Sequence, residues 1–177
     1  MKLVVLDRDG TINYDSDQYI KSPAEWKPIP GSMEAIARLT QRGWRCVVAT
    51  NQSGIARGLF DMSTLNAIHA EMHRAVSLAG GRIDAIFFCP HAADSNCGCR
   101  KPRPGLLREI AARLDVELAG VPMIGDSLRD VEAAVAAGAK PYLVLTGKGR
   151  KTRDAGGLPP GTEVAPDLAT IAARLAP

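Results

Sequence analysis

Lys2-Leu-Val-Val-Leu-Asp-Arg-Asp-Gly-Thr11 is the stretch that decides the fold, an apolar run that ends in two acids. The run Leu3–Leu6 predicts a strand buried on both faces, as in a parallel sheet. Ligands of such sheets bind beyond the carboxyl ends of the strands, where Asp7 and Asp9 follow. Two acids there repel each other unless a cation lies between them, and oxygen ligands suit Mg²⁺. The alternative is a capping Asp followed by an ordinary Asp-Gly turn.

The composition predicts one domain over residues 1–177, since a chain of 177 residues can bury a sizeable core. A formal charge of +3 without a long basic block does not require a nucleic-acid partner. No apolar run approaches the ~20 residues that cross a bilayer, and the apolar start is too short for a secretory signal. We therefore expect a cytoplasmic monomer that binds neither nucleic acid nor membrane.

Strand and helix patterns alternate along the chain, which predicts a Rossmann-like three-layer α/β sandwich with a mainly parallel sheet. Four more strands are expected at residues 44–49, 83–88, 121–124 and 141–145, and helices at 31–41, 63–79, 104–114, before Gly138 and at 167–175. Residues 12–30 contain three prolines and no sustained period, so we expect a long loop or small flap there. The sequence has no insertion long enough for a large cap domain.

Polar residues follow the second and fourth predicted strands as well. The second ends in Thr50-Asn-Gln-Ser-Gly54, whose hydroxyl and amide groups suit phosphoryl oxygens, although a plain turn is an equal alternative. The fourth is followed by Asp126, with Asp130 four residues later near a helix start. Asp15, in the flap, could touch a substrate, but a solvated turn acid is its expected role.

The third predicted strand runs into a set of metal-ligand side chains: Cys89, His91, Cys97 and Cys99. Three thiolates and one imidazole form a closed tetrahedral zinc set. A disulfide or free thiols are the alternatives, and a reducing compartment argues against the disulfide. A zinc-bound loop at about residues 89–103 would hold Arg100 and Lys101 rigidly, as a preorganised anion site requires.

Two other groups of side chains are expected to have no functional role. His69 and His73 lie four residues apart on a predicted helix, but the Glu and third ligand of a metalloprotease are missing. We expect both histidines on the polar face of that helix. A basic cluster is expected in a solvated loop at residues 146–160: Lys148, Arg150, Lys151 and Arg153.

The four strand ends form a phosphoryl-transfer set, with acids for a cation, a hydroxyl and amide for oxygens, and a fixed cation for negative charge. Over nearly the whole chain the sequence resembles the haloacid dehalogenase superfamily of phosphatases. The Asp-x-Asp-x-Thr motif of that family matches residues 7–11, and its Gly-Asp-x-x-x-Asp motif matches residues 125–130. Its second-strand Thr matches Thr50 and its Lys matches Lys101.

The resemblance implies hydrolysis of a phosphomonoester through an aspartyl-phosphate intermediate. Asp7 would attack phosphorus, and Asp9 would protonate the leaving oxygen and then deprotonate water. Mg²⁺ would bind the Asp7 carboxylate, the Asp9 backbone carbonyl and Asp126. The metal would let one anion attack another, which is otherwise the main obstacle.

The resemblance also implies which residues hold the substrate. Thr50 and Lys101 would bind the transferring group, while Thr11 and Asp130 would support the groups around it. The remaining substrate contacts implied by the resemblance or suggested by position are Asp15, Asn51, Gln52, Ser53 and Arg100.

Within the superfamily, the zinc loop and the missing cap resemble the heptose bisphosphate phosphatases and the related histidinol-phosphate phosphatases. Residues 50–58 look like the heptose enzymes, because histidinol phosphatases typically have Asp where Ser53 stands. The resemblance implies a sugar bisphosphate substrate in the synthesis of nucleotide-activated heptose, a lipopolysaccharide precursor. The alternatives are histidinol phosphate, other small phosphorylated metabolites, and a non-catalytic zinc-bearing or nucleic-acid-binding module.

Two departures from the heptose enzymes affect substrate preference. Only five residues separate His91 from Cys97, which makes a shorter zinc loop than in many of them. Ser127 stands where some of them have a Lys beside the metal-binding Asp. The preferred anomer of the sugar phosphate therefore stays open at this point.

Overall fold

The computed structural model describes residues 1–177, and its centre is a single parallel sheet. The strands are β1 Lys2–Leu6, β2 Trp44–Asn51, β3 Ala85–Cys89, β4 Pro122–Gly125, β5 Lys140–Val144 and β6 Glu163–Ala165. The helices are α1 Ser32–Gln41, α2 Met62–Leu78, α3 Gly105–Leu114, α4 Leu128–Ala137, α5 Gly149–Ala155 and α6 Leu168–Leu175. In space the strands follow the order β3-β2-β1-β4-β5-β6, all parallel. The expected Rossmann-like α/β fold is confirmed.

Two apolar cores, one on each face of the sheet, explain the unbroken apolar run of β1. Val4 and Leu6 pack with side chains of α1, α2 and α6 on one face. Leu3 and Val5 pack with side chains of α3 and α4 on the other. Because successive side chains of a strand point to opposite faces, a strand covered on both sides has no polar position.

The chain reverses its direction of winding at β1, and this places the candidate site. From β1 the chain moves outward to β2 and β3, and then returns to the other side of β1 for β4, β5 and β6. Leu6 pairs with Ile124 across the two neighbouring strands, so Asp7 and Asp126 emerge at the same edge. Ligands of open α/β sheets bind in the crevice at such a switch point.

Between residues 12 and 30 the structure contains one short 3₁₀ helix, Pro23–Glu25, in an otherwise irregular flap. The prediction of a loop over residues 146–160 was wrong in part, because α5 lies there, and β6 was not predicted at all. Helix α5 buries only Gly149, so its sequence carries no apolar stripe that periodicity could detect. Strand β6 has three residues, too few to show an alternating pattern.

The two histidines of α2 differ in their surroundings. His73 is exposed, as expected. His69 is buried, with 7% of its surface exposed, so the prediction that it lies on the polar face was wrong. Its partner is a buried arginine from the first strand end, which a helical pattern cannot reveal.

None of the six helices is both long and apolar enough to cross a lipid bilayer.

Candidate active site

A polar cleft of about 330 Å³ opens at the carboxyl edge of the sheet. Of the 19 residues that line it, only 2 are hydrophobic, so the cleft suits a charged, hydrophilic ligand. Its walls come from the ends of β1, β2 and β4, from the flap, and from the loops that contain Arg100 and Lys148. The ends of β1, β2 and β4 therefore reach one cavity.

Lys101 lies at the bottom of this cleft and joins three elements. Its Nζ donates to Asp7 Oδ1 at 2.8 Å, to Asp130 Oδ1 at 2.7 Å and to the carbonyl oxygen of Ala49 at 2.7 Å. All three ammonium donors are thus used, and the side chain is 2% exposed. Although burial opposes its charge, Asp130 and Asp7 raise the pKa of Lys101, which fixes a permanent positive charge beside Asp7.

Asp7 and Asp126 are buried close together, and with Asp130 they offer carboxylate oxygens within 4.8 Å of one another. Burial and the charge of Asp130 raise the pKa of Asp7 to about 7, against the lowering effect of Lys101. Burial and the charge of Asp7 raise the pKa of Asp126 to about 8. Crowded buried carboxylates of this kind form a site that a divalent cation can stabilise.

Two glycines lie directly against Asp126, at positions where any larger residue would clash with its carboxylate. A Cβ at Gly10 would lie 2.0 Å from Asp126 Oδ2, and one at Gly147 would lie 2.2 Å from the same oxygen. Both glycines also have positive φ angles, of 84° and 53°. The backbone N–H of Lys148 donates to this oxygen at 2.8 Å, so the carboxylate is held by main chain rather than by long side chains.

Asp130 has both oxygens occupied and is therefore a support for the site. Oδ1 accepts from Lys101, and Oδ2 accepts from the backbone N–H and the hydroxyl of Ser127 at 3.0 and 2.7 Å. These contacts form a capping box at the start of α4. Of the three clustered acids, Asp7 and Asp126 are thus the better candidates for a cation.

Asp9 accepts more hydrogen bonds than any other carboxylate at the site. Arg8 donates from Nε to Oδ1 at 2.8 Å and from Nη2 to Oδ2 at 3.0 Å. The Asn13 amide donates to Oδ1 at 2.9 Å, and the Gln52 amide donates to Oδ2 at 3.2 Å. Burial would raise the pKa of Asp9, but the charge of Arg8 and these hydrogen bonds outweigh it and hold the pKa below its usual value.

The polar residues at the end of β2 contact other protein groups. The side chain of Asn51 accepts from the backbone N–H of Lys101 at 3.0 Å and donates to its carbonyl oxygen at 3.1 Å. Gln52 donates to Thr50 Oγ1 at 3.0 Å as well as to Asp9. Thr50 lines the cleft and is 1% exposed. Asn51 and Gln52 thus position site residues, although both still line the cleft.

Thr11 is fully buried below the flap, outside the cleft. Its carbonyl oxygen accepts from the Ser32 hydroxyl at 3.1 Å, while its own hydroxyl has no partner within the protein. It therefore ties the first strand end to α1.

The rim of the cleft carries the other predicted contacts and several cations that the sequence did not identify. Ser53, Asp15 and Arg100 all line the cleft. Lys148 also lines it: the residue is exposed in the turn before α5, as expected for a solvated loop, and its Nζ lies 3.2 Å from Asp15 Oδ2. The further rim cations are Arg57 and Arg129.

Side-chain contacts also tie the flap to the opposite rim. The guanidinium of Arg57 lies 5.8 Å from the ring centroid of Tyr19, a cation–π distance. Tyr19 has a positive φ of 67°, which is uncommon for a bulky residue and orients its ring toward the cleft rim. No sequence pattern signals such a backbone angle at a tyrosine.

The four metal-ligand side chains at the end of β3 and in the loop that follows it converge as predicted. Cys89 Sγ lies 3.7 Å from Cys97 Sγ, 3.0 Å from Cys99 Sγ and 3.4 Å from His91 Nδ1. His91 Nδ1 lies 3.3 Å from Cys99 Sγ. A tetrahedral zinc site with Zn–S bonds of ~2.3 Å has S–S edges of ~3.8 Å, so this set has the size of a closed zinc site.

Two family models match the chain. One, described as HAD-hydrolase-like, matches residues 98–171, and the other, polynucleotide kinase 3 phosphatase, matches residues 2–127. Together they cover both carboxylate motifs and the lysine between them.

Named relatives match along nearly the whole length. The D-glycero-beta-D-manno-heptose-1,7-bisphosphate 7-phosphatase of Bordetella bronchiseptica is 63% identical over 99% of this chain and 98% of its own. The enzyme of the same name from Pseudomonas aeruginosa is 53% identical over 98% of this chain and 97% of its own.

Solved structures agree with these relatives. A crystal structure of the Bordetella bronchiseptica D,D-heptose 1,7-bisphosphate phosphatase, complexed with magnesium and phosphate, superposes with a TM-score of 0.98 at 63% identity over 99% of this chain and 98% of that one. The crystal structure of the Burkholderia thailandensis D,D-heptose 1,7-bisphosphate phosphatase superposes with a TM-score of 0.79 at 53% identity, over 98% of this chain and 97% of that one.

Proposed function

Since the chain belongs to the haloacid dehalogenase-like hydrolases, in the family of the D-glycero-β-D-manno-heptose-1,7-bisphosphate 7-phosphatases, we propose that it removes the 7-phosphate of that sugar with Mg²⁺. This step belongs to the synthesis of nucleotide-activated heptose, a lipopolysaccharide precursor. The observation that carries the proposal is the cleft that joins Asp7, Asp126 and Lys101 at one switch point.

Asp7 is the nucleophile of this reaction. Lys101 bonds its Oδ1, whereas its Oδ2 accepts no hydrogen bond from the protein. When an oxygen of Asp7 attacks, an Asp7–phosphorus bond forms and the ester P–O bond breaks, so the sugar leaves first and a phosphorylated Asp7 remains. The buried ammonium of Lys101 offsets the repulsion between carboxylate and phosphate, which is the electrostatic part of the work.

Asp9 serves both half-reactions by moving one proton. In the first it gives a proton to the leaving sugar oxygen, and in the second it takes one from the water that hydrolyses the phosphorylated Asp7. The free protein holds Asp9 ionised through Arg8, which is the form that the second step requires. A dianionic phosphate next to Asp9 favours its protonated form, which the first step requires.

The carboxylates fit a hard divalent cation. Asp7 and Asp126 would hold Mg²⁺ together with the backbone carbonyl of Asp9, and burial and mutual repulsion, which raise the pKa values of both carboxyls, favour a cation between them. The ion would neutralise charge on the transferring phosphoryl group. The close approach of Gly10 and Gly147 keeps Asp126 at the one position from which it can share the ion.

The rim recognises the rest of the substrate. A bisphosphate has a second dianion at the far end of the sugar, and the rim offers cations that could meet it: Arg57, Arg100, Arg129 and Lys148. Ser53 and Asp15 supply hydrogen-bonding groups for sugar hydroxyls. Thr50 holds the transferring phosphoryl group beside Lys101, while Asn51 and Gln52 act mainly by holding Lys101 and Asp9.

The cluster after β3 binds Zn²⁺ as a structural ion. Its four ligands leave no open position, so the ion fixes the loop rather than taking part in the reaction. Cys99 lies two residues before Lys101, and Asn51 bonds the main chain of Lys101 from the other side. Zinc and Asn51 together would hold Lys101 at the site.

The chain acts as a cytoplasmic monomer with a small-molecule substrate. None of its four cysteines forms a disulfide, which suits a reducing compartment. The rim cations surround a confined cleft instead of forming the basic stripe of a nucleic-acid surface, which argues against a polynucleotide substrate despite one family model's name.

Phosphate release with Mg²⁺ tests the substrate. We expect a kcat/KM for the β-anomer of heptose 1,7-bisphosphate at least about 100-fold above that for histidinol phosphate, equal to ~2.7 kcal/mol in transition-state binding, and above that for the α-anomer. Asp7→Asn, which removes the nucleophile, should lower the rate by about 10³-fold or more. Its residual rate measures contaminating phosphatases.

The reverse preference, for histidinol phosphate, would mean that Ser53 does not mark the substrate class. Comparable weak rates on both esters would indicate a different small metabolite. Substantial turnover by pure Asp7→Asn protein would refute the nucleophile itself.

A further inference from the structure

Arg8 is a buried cation beside the catalytic groups, and the reaction steps above do not use it directly. Its side chain has no exposure to solvent. Two of its nitrogens donate to the two oxygens of Asp9, at 2.8 and 3.0 Å. Since a buried guanidinium without acceptors is costly, the third nitrogen also needs a partner.

That partner is His69, which comes from the middle of α2. Nη1 of Arg8 lies 3.2 Å from Nε2 of His69, although the two residues are 61 positions apart in the sequence. A guanidinium has donors only, so Nε2 must be the acceptor and the neutral ring carries its proton on Nδ1. Burial and the charge of Arg8 lower the pKa of His69 to about 3, which keeps the ring in this form near neutral pH.

Helix α2 gives His69 a rigid support. The neighbouring turns bury Leu65, Ile68 and Met72, and the latter two belong to the larger core. The contacts therefore run without a gap from a packed helix through His69 and Arg8 to Asp9. A merely solvated histidine, such as His73 one turn further on, has no such connection.

We infer that His69 is a positioning residue that holds Arg8, and through it the carboxylate of Asp9, in the place from which Asp9 transfers its proton. Arg8 has a long side chain, and its contacts with Asp9 alone would let the pair move together. The contact with His69 fixes the far end of the guanidinium. This inference rests on the acid–base role proposed for Asp9.

The expected effect is a partial loss, because two other residues also hold Asp9. Asn13 and Gln52 donate one hydrogen bond each to its oxygens. Removing the acceptor at His69 should therefore displace Asp9 without freeing it. The step that suffers is the one in which the ester P–O bond breaks and the proton of Asp9 passes to the leaving oxygen.

Rates measured on esters with different leaving groups distinguish a positioning role of His69 from a general effect on stability. p-Nitrophenyl phosphate has a stable leaving group that needs little protonation, whereas a hexose 6-phosphate has an alkoxide that needs it fully. We expect His69→Leu to lower kcat/KM for the hexose 6-phosphate at least about 10-fold more than for p-nitrophenyl phosphate. His73→Leu, on the exposed face of the same helix, should leave both values unchanged.

His69→Gln provides the conservative rescue, because its amide oxygen can accept from Arg8 at about the position of Nε2. His69→Asn carries the same group on a shorter stem and should fail to restore the hexose 6-phosphate rate. This pair keeps the test valid if His69→Leu does not fold, since both replacements are polar and similar in size.

Equal losses on both esters, or no loss on either, would overturn the inference and leave His69 with a structural role only. Asp9→Asn serves as the reference for a missing proton donor and should show the same dependence on leaving group, more strongly. If Asp9→Asn shows no such dependence while wild-type activity is normal, the acid role of Asp9 itself fails, and His69 loses its assignment for that separate reason.

Discussion

Asp7 and Asp9 are separated by one residue, yet their surroundings move their pKa values in opposite directions. Burial and the charge of Asp130 raise the pKa of Asp7 to about 7. Arg8 and two amides overcome the effect of burial at Asp9 and lower its pKa. Carboxyls whose environments differ in this way can divide nucleophilic and proton-transfer work between them.

The neutral form of His69 makes stability depend on pH. Its pKa is about 3 in the folded chain against 6.5 for the free side chain, so between these values only the unfolded chain binds a proton there. The contribution of His69 to stability is therefore fully present above pH 6.5 and declines as the pH falls toward 3. The decline should be at most ~1.4 kcal/mol per pH unit.

Urea unfolding of wild type and His69→Gln at several pH values measures this decline. Glutamine does not titrate, so the difference in free energy of unfolding between the two proteins should shrink on acidification. Parallel profiles for wild type and His69→Gln would show that the ring is not held neutral.

The sequence was sufficient to predict the site residues whose residue type and position at a strand end both indicate a functional role. Strand ends and spacing were enough to bring Asp7, Asp126 and Lys101 into one cleft. They were not enough for Arg8 and His69, because each is an ordinary residue until the other is placed beside it. A contact between residues 61 positions apart leaves no mark in the local pattern of either element.

At the level of elements, the loop after β3 is the clearest case of a local motif with a distant effect. Cys-x-His and Cys-x-Cys pairs can be recognised in a sequence because zinc ligands are restricted in residue type and in spacing. The hydrogen bonds of Asn51 to Lys101 are not, since an amide after a strand also suits a plain turn. Helix α5 and strand β6 escaped prediction because short elements with few buried side chains carry no period.

Loss of one zinc ligand should loosen Lys101 and slow the reaction. We expect Cys97→Ser to lower the zinc content well below one ion per chain and to reduce kcat about 10-fold or more, because a displaced ammonium no longer meets the phosphate. Metal analysis and phosphate release on the same preparation provide the measurement. Full zinc content in the variant would contradict the four-ligand site.

Cys46→Ala is the matched control for that experiment. Cys46 lies in β2, is fully buried and takes no part in the cluster. Its replacement also removes a thiol but should leave zinc content and kcat unchanged. A similar loss of zinc in both variants would point to general damage.

For the whole molecule, the strand order makes the cleft the place where both halves of the sheet meet. Asp7 follows a strand of one half, and Asp126 follows the first strand of the other. A cation shared by these residues therefore binds the folded chain only. We expect saturating Mg²⁺ to raise the midpoint of thermal unfolding by about 5–10 °C at a hundredfold excess over Kd.

Asp126→Asn should abolish most of this rise, because an amide is a much weaker ligand than a carboxylate. Asp15→Asn, which changes an acid at the rim, should retain it. Differential scanning calorimetry of the three proteins with and without Mg²⁺ makes the comparison. An undiminished rise in Asp126→Asn would place the ion elsewhere.

Cys99 lies only two residues before Lys101, so oxidation of the cysteine cluster could affect the phosphatase reaction. Zinc-bound thiolates remain open to peroxide, and an oxidised sulfur no longer binds the ion. If zinc holds that loop and Lys101 as proposed, an oxidant that releases the ion would disable this phosphatase without altering any carboxylate. Sugar-phosphate flux through the protein would then fall whenever peroxide outpaces the thiol reductants of its compartment.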